Sequence, residues 1–246
     1  MSAVASIWRH PIKAAGREAL DRVALRAGRA LPFDRRWAVT HEGTRPQDGG
    51  WAPKANFLRG VAGPELMAVT AALDEAAGTV TLRHPRRDDL AAEPDADGAR
   101  IAAWLAPLWP EEQPRPTGVA ACETGYTDAP EPFVSIHAHA THRAVEARAG
   151  MALSIHRWRG NLWLDGLEAG AERDMIGRRI RVGEALLEVV CPIGRCRATE
   201  ANPETGRRDL DTLRLLRDGW DHQDFGVYAL VVEGGAVAAG DAVRAA

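Results

Sequence analysis

Residues 178–196 read RRIRVGEALLEVVCPIGRC, and this stretch gives the clearest indication of the fold. Residues 178–182 and 185–190 are rich in apolar and β-branched side chains, and Gly183-Glu184 between them is a tight turn. The stretch therefore predicts a β-hairpin. Its second strand leads into a loop in which Arg195 precedes Cys196.

Similar short segments recur along the whole chain. Further strands are predicted at residues 4–9, 37–41, 66–73, 79–84, 161–164, 227–233 and 237–243, and helices at 95–107, 140–149 and 211–217. Residues 45–63 are rich in Pro and Gly and are predicted to be irregular. Many short strands with few short helices indicate a mainly β (α+β), barrel-like fold.

Composition limits the class of protein. The chain has 246 residues, 46% hydrophobic and 26% charged, which is typical of a globular protein with one elaborated domain or two closely packed subdomains. A net charge of −3 argues against a broad nucleic-acid-binding surface. No apolar run approaches the roughly 18 residues of a membrane span, and the N-terminus does not resemble a secretory signal. Three cysteines, an odd number, favour a reducing compartment and a cytoplasmic location.

The loop that contains Cys191 and Cys196 is the first candidate for chemistry. Guanidinium groups of Arg195 and Arg197 beside a cysteine favour the thiolate, which a soft metal or a nucleophilic reaction requires. The alternative is that these cysteines are small packing residues of a loop.

A histidine cluster is the second candidate. His137 and His139 would share a face of a strand, and with two cysteines they could form a zinc site. His142 would be turned away by the helix that follows. We expect partly exposed polar histidines, with zinc as the alternative.

Cations at strand ends are the third candidate. Arg157 and Arg159 point the same way if their segment is extended, and could grip an anion together. Arg35, in the Asp34-Arg35-Arg36 segment, and Lys13 would complete a cationic pocket that suits a phosphate. The alternative for each is a solvated strand end.

Several motifs in order resemble one family along nearly the whole chain. They are HPIKAAGREAL (10–20), LPFDRRWAV (31–39), RWRGNLWLDG (157–166), GRRIRVGEALLEVVCPIGRCRATEANPETGRRD (177–209) and FGVYALVVEGGAVAAGDAV (225–243). The chain resembles MOSC-domain proteins, which are similar to the C-terminal domain of molybdenum cofactor sulfurases and to the mitochondrial amidoxime reducing component. The resemblance implies an N-terminal β-barrel-like module at 1–84, a helix and Pro-rich connection at 85–133 and a MOSC domain at 134–246.

The resemblance also implies a molybdenum–pterin centre. Cys196 would be the thiolate ligand to molybdenum and the catalytic cysteine. Lys13, Arg35, Arg159 and Asn161 fall on positions that contact the pterin and its phosphate; Arg195 and Thr141 would line the site, and Tyr228 would be an aromatic residue near the cofactor. Ala14 departs from the usual Ser, and Gly194 stands where a polar residue is common. Cys191 and Cys122 have no role in the family pattern.

The implied activity is a molybdenum-dependent reduction of N-hydroxylated small molecules. The chain carries neither a four-cysteine iron–sulfur signature nor a G-x-G-x-x-G nucleotide fingerprint, so we expect no iron–sulfur cluster and no NAD within it. Electrons would come from a separate iron–sulfur or flavin protein. The alternative function is a molybdenum cofactor carrier or a persulfide-based sulfur-delivery module that acts through Cys196.

Overall fold

The computed structural model describes residues 2–45 and 49–246. Its strands are β1 (Ser2–Arg9), β2 (Glu18–Leu20), β3 (Arg22–Leu25), β4 (Trp37–His41), β5 (Thr70–Asp74), β6 (Thr79–His84), β7 (Arg87–Ala92), β8 (Pro116–Ala121), β9 (Val134–Ala138), β10 (Leu162–Asp165), β11 (Arg179–Val182), β12 (Ala185–Gly194), β13 (Asp224–Glu233), β14 (Gly235–Ala238) and β15 (Ala242–Ala245). Its α-helices are α1 (Gly98–Leu105), α2 (His139–Ala149) and α3 (Thr212–Trp220). The predicted mainly β fold with a few short helices is confirmed.

Seven strands close into a barrel in the order β1-β10-β9-β13-β12-β11-β15, and β15 pairs back to β1. All neighbours are antiparallel except β9 and β10, which are parallel. The predicted hairpin is present as β11 and β12, with Gly183 at positive φ in its turn. The barrel interior is filled by buried aliphatic side chains such as Ile7, Ile136 and Leu187, each with no exposed surface.

A second core lies in the N-terminal part of the chain. The β5-β6-β7 sheet, the β4-β8 pair and α1 surround buried residues that include Ile12, Leu82 and Ile101. Strand β1 belongs to the barrel although it comes first in the chain, and β3 pairs with β14 near the C-terminus. The N-terminal part is therefore tied to the barrel by strand pairing, while the predicted domain boundaries stay predictions.

Three predicted elements differ from the structure. The strand predicted at 66–73 begins only at Thr70, because Pro64–Ala68 is a 3₁₀ helix with proline at its start. The strand predicted at 237–243 is two strands, separated by a turn in which the Asp241 carboxylate accepts a hydrogen bond from the Ala238 amide. The Pro-rich connection contains β8, which begins at Pro116 and pairs with β4; proline is tolerated at the start of a strand. Of the segment 45–63, residues 46–48 lie outside the described residues.

The histidine cluster packs in an aromatic core. The His137 ring has no exposed surface and stacks on Trp163 with centroids 5.0 Å apart. His142 donates from Nε2 to the Leu153 carbonyl (2.9 Å) and accepts at Nδ1 from Trp158 Nε1 (3.0 Å). The expectation of partly exposed histidines is wrong for these two. In the described ranges no group of three or more His, Cys, Asp or Glu side chains assembles to hold a metal ion.

No helix in the described part of the chain is long and apolar enough to cross a membrane.

The buried histidines predict a loss of stability in acid. Burial lowers the pKa of His10 to about 3 and that of His156 to about 4, from 6.5 in the unfolded chain. Between pH 6.5 and these values the unfolded state binds more protons, so the free energy of unfolding falls as the pH falls. We expect His156→Gln to reduce this slope by up to about 1.4 kcal/mol per pH unit between about pH 6 and 4.5, measured by urea unfolding. A slope equal to that of the wild type would contradict the prediction.

A second prediction concerns Gly125, which touches the turn that contains Asp34. Gly125 has a φ of 81°, and a Cβ there would lie 2.6 Å from the Asp34 carbonyl oxygen. Gly78 has a φ of 68° but no atom within 4 Å of the same position, so it is the matched control. We expect Gly78→Ala to cost about 1 kcal/mol from the left-handed backbone, and Gly125→Ala a further 1–3 kcal/mol, roughly, from the clash. If urea unfolding gives the same loss of unfolding free energy for Gly78→Ala and Gly125→Ala, the prediction is wrong, because the clash at Gly125 would then carry no cost.

Candidate functional site

A cleft of about 420 Å³ lies between the N-terminal core and the barrel. Seven of the eight site residues expected from the sequence line it: Lys13, Arg35, Arg159, Asn161, Arg195, Cys196 and Tyr228. The eighth, Thr141, does not. Its hydroxyl donates to Glu172 (2.6 Å) and it lines a separate small cavity against α3.

Lys13 lies four residues beyond the end of β1, at the inner wall of the cleft. Its side chain is 8% exposed, and its ammonium donates to the Tyr126 carbonyl (2.8 Å) and to the Asp128 carboxylate (2.7 Å). Burial lowers the pKa of Lys13, and Asp128 partly offsets this effect. The lysine is thus held in place by a backbone oxygen and one counter-ion.

Asp34 is a buried carboxylate that organises the neighbouring turn. It accepts a hydrogen bond from the His10 amide (2.7 Å) and pairs with the Arg35 guanidinium. Burial opposes its ionisation, but Arg35 and His10 together hold the pKa of Asp34 well below its usual range. Arg35 also donates to the Arg159 carbonyl (3.0 Å), so the two arginines are linked through the backbone.

Arg157 and Arg159 do not act as the expected pair. Residues Ile155–Trp158 form a 3₁₀ helix, and Arg159 follows with a φ of 49°, so the segment is not extended and the two side chains diverge. The Arg157 guanidinium is occupied by both oxygens of Asp209 (2.6 and 2.8 Å). Arg159 makes one side-chain hydrogen bond, to the Ile12 carbonyl (3.3 Å). Burial, and then the charge of Arg35, lower the pKa of Arg159 to about 9.

Strained backbone is concentrated around this cleft. Among the described residues, those other than glycine with positive φ are Ala14, Phe33, Arg35, Arg159 and Asp221. Three of the five line the cleft. Left-handed backbone at such residues is unfavourable and tends to cluster at binding and catalytic sites.

Cys196 follows the end of β12 and its side chain is exposed. Its carbonyl accepts hydrogen bonds from the amide and the hydroxyl of Thr199 (3.1 and 3.0 Å), which fixes the loop. Arg197 pairs with Glu200 (3.0 Å) and does not line the cleft, so only Arg195 flanks the thiol as expected.

Arg195 is fixed by three groups of the barrel. It donates to the carbonyls of Phe225 (2.9 Å) and Trp158 (2.8 Å), and it contacts His137 Nε2. Burial lowers the pKa of Arg195 to about 10, and the neighbouring Tyr228 and Cys196 oppose this shift, so the guanidinium stays charged at neutral pH.

Asn161 and Tyr228 complete the barrel side of the cleft. The Asn161 oxygen accepts from the amide and hydroxyl of Ser135 (3.1 and 2.9 Å), and its nitrogen donates to the Trp8 carbonyl (3.1 Å). One amide hydrogen of Asn161 is left for a ligand. Tyr228 stacks on Phe133 with centroids 4.8 Å apart, and burial raises the pKa of its hydroxyl.

The other two cysteines are placed differently. Cys191 lies in β12 opposite Tyr228 and is half-buried, and burial raises the pKa of its thiol. Cys122 is buried and its sulfur lies 3.2 Å from the Thr124 hydroxyl. Neither lines the cleft.

The electrostatic character of the cleft is strongly cationic. Among the described residues, its charged lining consists of the cations Lys13, Arg35, Lys54, Arg59, Arg157, Arg159 and Arg195 and the carboxylate Asp128. Lys54, Arg59 and Asp128 were not predicted, because they lie in segments without a motif and only the fold brings them here. An anion relieves the mutual repulsion of these charges.

Comparison with known proteins agrees with the resemblance in sequence. The MOSC domain matches residues 124–244, and the MOSC N-terminal beta barrel domain matches residues 1–106. No curated protein matches the chain.

The chain is also similar to solved structures. The YuaD protein from Bacillus subtilis is 14% identical, the alignment covers 99% of this chain and 94% of YuaD, and the TM-score is 0.50. YiiM from Geobacillus stearothermophilus is 18% identical, with 46% of this chain and 53% of YiiM covered and a TM-score of 0.36. YiiM from Escherichia coli is 22% identical, with the same shares covered and a TM-score of 0.34. The chain thus spans about half the length of the YiiM proteins.

Two matched domains in the order expected from the sequence cover all but residues 107–123 and the last two. MOSC domains are associated with the molybdenum cofactor. The chain belongs to the MOSC-domain family, with a MOSC N-terminal β-barrel domain preceding the MOSC domain.

Proposed function

We propose that this protein binds the molybdenum cofactor through Cys196 and reduces N-hydroxylated compounds. The observation that carries the proposal is the exposed Cys196 thiol at a cleft lined by seven cations. A thiolate is a soft ligand that suits a transition metal, and the cations suit the phosphate of a pterin cofactor. Both requirements are met in one cavity.

The residues present fit this cofactor. Among the described residues, the Arg159 side chain makes a single hydrogen bond, and it lies close enough to Arg35 for the two charges to repel each other. A bound phosphate would relieve this repulsion. Lys13, Arg35 and Arg159 would therefore hold the phosphate. Asn161 would offer its remaining amide hydrogen to the pterin. Cys196 would be the thiolate ligand.

When bound, the cofactor supplies a molybdenum centre for two-electron oxygen-atom transfer. Converting an N–OH group to N–H consumes two electrons and two protons and releases water. The electrons would come from a separate iron–sulfur or flavin protein, since the chain carries no signature for such a group. The proposed setting is the reducing cytoplasm, where the three free cysteines would remain thiols.

The protein's own residues would orient the substrate beside Cys196. Arg195 is fixed by two carbonyls and by His137, so its charge stays next to the cysteine without rearrangement. Tyr228 keeps its proton at neutral pH, because burial raises its pKa, and it can donate a hydrogen bond to a bound group. Phe133, stacked on Tyr228, shields this wall from water.

A second function uses the same cysteine. The exposure of the Cys196 thiol also suits a sulfur carrier, in which a persulfide on Cys196 is passed to another molecule, or a carrier of the cofactor itself. A carrier needs the thiol accessible, whereas a metal ligand is capped by the metal.

The test is the metal content of purified variants from a host that makes the cofactor. We expect Cys196→Ser to lose molybdenum, measured by elemental analysis, and pterin fluorescence, because the thiolate ligand is gone. Cys191→Ser is the matched control and should retain both, since Cys191 lies outside the cleft. Equal molybdenum in wild type and Cys196→Ser would exclude the proposed ligand.

Alkylation of the loaded protein separates the two functions. Protection of Cys196 only after cofactor loading supports ligation. A thiol that reacts equally before and after loading, together with persulfide detected on Cys196, supports the carrier.

A further inference from the structure

We infer that Arg59, assisted by Lys54, forms an anion-binding subsite at the mouth of the cleft, and that the substrate carries a phosphate or carboxylate group. The inference rests on the proposed function, because it names the class of substrate that would reach Cys196. It concerns two residues for which neither the sequence motifs nor the resemblance gives a role.

Arg59 is held against the loop that follows Cys196. A Cβ at the neighbouring Gly60 would lie 3.3 Å from the Ala198 Cβ, so the two backbone segments are in contact. The next residue, Val61, accepts a hydrogen bond from Arg208 at its carbonyl (2.6 Å). Arg59, Gly60 and Val61 therefore line the cleft next to the loop that follows Cys196.

Lys54 also lines the cleft, and it is exposed. It belongs to a 3₁₀ helix at Lys54–Asn56, and its charge acts on Asp128, whose pKa it helps to lower. Asp128 is the counter-ion of Lys13. Lys54 thus extends the positive potential from the inner wall toward the solvent.

In the part of the chain that the structure describes, these two cations differ from most of the others in the cleft because their side chains make no hydrogen bond or ion pair. Lys13, Arg35, Arg157 and Arg195 are each held by a carboxylate or by backbone carbonyls. Within residues 2–45 and 49–246, the structure gives no ion pair or hydrogen bond to the side chain of Lys54 or of Arg59, although both line the cleft. They are also more exposed than Lys13, which is buried.

The difference in pairing between the two sets of cations points to two anions. In the proposed function one phosphate is held by Lys13, Arg35 and Arg159, all of which are less exposed than Lys54. Arg59 lies beside the Cys196 loop and makes no ion pair with a described residue, so it is available to a second anion. Guanidinium groups bind phosphate and carboxylate with paired hydrogen bonds. A substrate with such a group would be oriented by Arg59, with its N–OH end free to reach Cys196.

The test compares matched substrates on the cofactor-loaded protein. The pairs are N4-hydroxycytidine with its 5′-monophosphate and benzamidoxime with 4-carboxybenzamidoxime. We expect the charged member of at least one pair to have a kcat/KM higher by about tenfold or more, and this ratio to fall as salt is added. A preference within the first pair identifies a phosphate, and one within the second identifies a carboxylate.

Variants assign the preference to residues. We expect Arg59→Ala to bring the ratio close to one, Arg59→Lys to keep part of it, and Lys54→Ala to lower it less than Arg59→Ala does. Arg197→Ala is the matched control, since Arg197 is near Cys196 in sequence but pairs with Glu200 and should leave the ratio unchanged. Equal kcat/KM within both pairs for the wild type would overturn the inference. A loss of molybdenum and pterin in Arg59→Ala would also overturn it, because Arg59 would then hold the cofactor.

Failure of the proposed function gives a different result. If the wild type reduces none of the four compounds, calorimetry with cytidine 5′-monophosphate against cytidine, and with benzoate against benzamide, still tests the subsite. Tighter binding of an anion that Arg59→Ala abolishes supports the subsite without the reaction. Binding that does not depend on charge, or on Arg59, overturns it.

Discussion

The backbone pairing of strand β1 is the constraint on which the rest of the structure depends. Residues Ser2–Arg9 hydrogen-bond to β10 on one side and to β15 and β2 on the other, and this pairing closes the seven-stranded barrel. The same strand runs directly into His10 and Lys13 at the cleft, so closure of the barrel and the position of the first cation are set by one segment. The pairing of β1 with β10 shifts register between Val4 and Ser6.

The cleft is electrostatically costly for the folded protein. Arg35 and Arg159 repel each other, and their burial removes the water that would screen them. The chain offsets the cost locally with buried Asp34, which binds Arg35, and with Asp209, which pairs with Arg157. Arg159 is left incompletely paired. Such an arrangement favours ligand binding over stability, as is common at functional sites.

Local pattern predicted most strands of the barrel but missed β2, β3, β7, β8 and β9. It also did not predict the local backbone conformations that orient the side chains of the site. The hairpin of β11 and β12 follows from two apolar, β-branched segments and the glycine turn between them, and Cys196 could be placed beyond its end from sequence alone. The divergence of Arg157 and Arg159 depends on a 3₁₀ helix and a left-handed residue, which have no distinct signal in a segment read as extended. Thr141 was carried over by resemblance and lies by another cavity, while Arg59 has no motif at all.

The turn Asn202-Pro-Glu-Thr-Gly206 shows why a short motif can matter without touching the cleft. A Cβ at Gly206 would lie 2.6 Å from the Glu65 Cα, so this turn packs directly on the N-terminal part of the chain. Asn202 donates to Asp209 (2.9 Å), and Asp209 in turn binds Arg157. The turn thus connects Glu65, in the N-terminal part of the chain, through Asn202 and Asp209 to Arg157 in the lining of the cleft. Position 206 requires glycine for two reasons: its φ is 70°, and no side chain fits against Glu65.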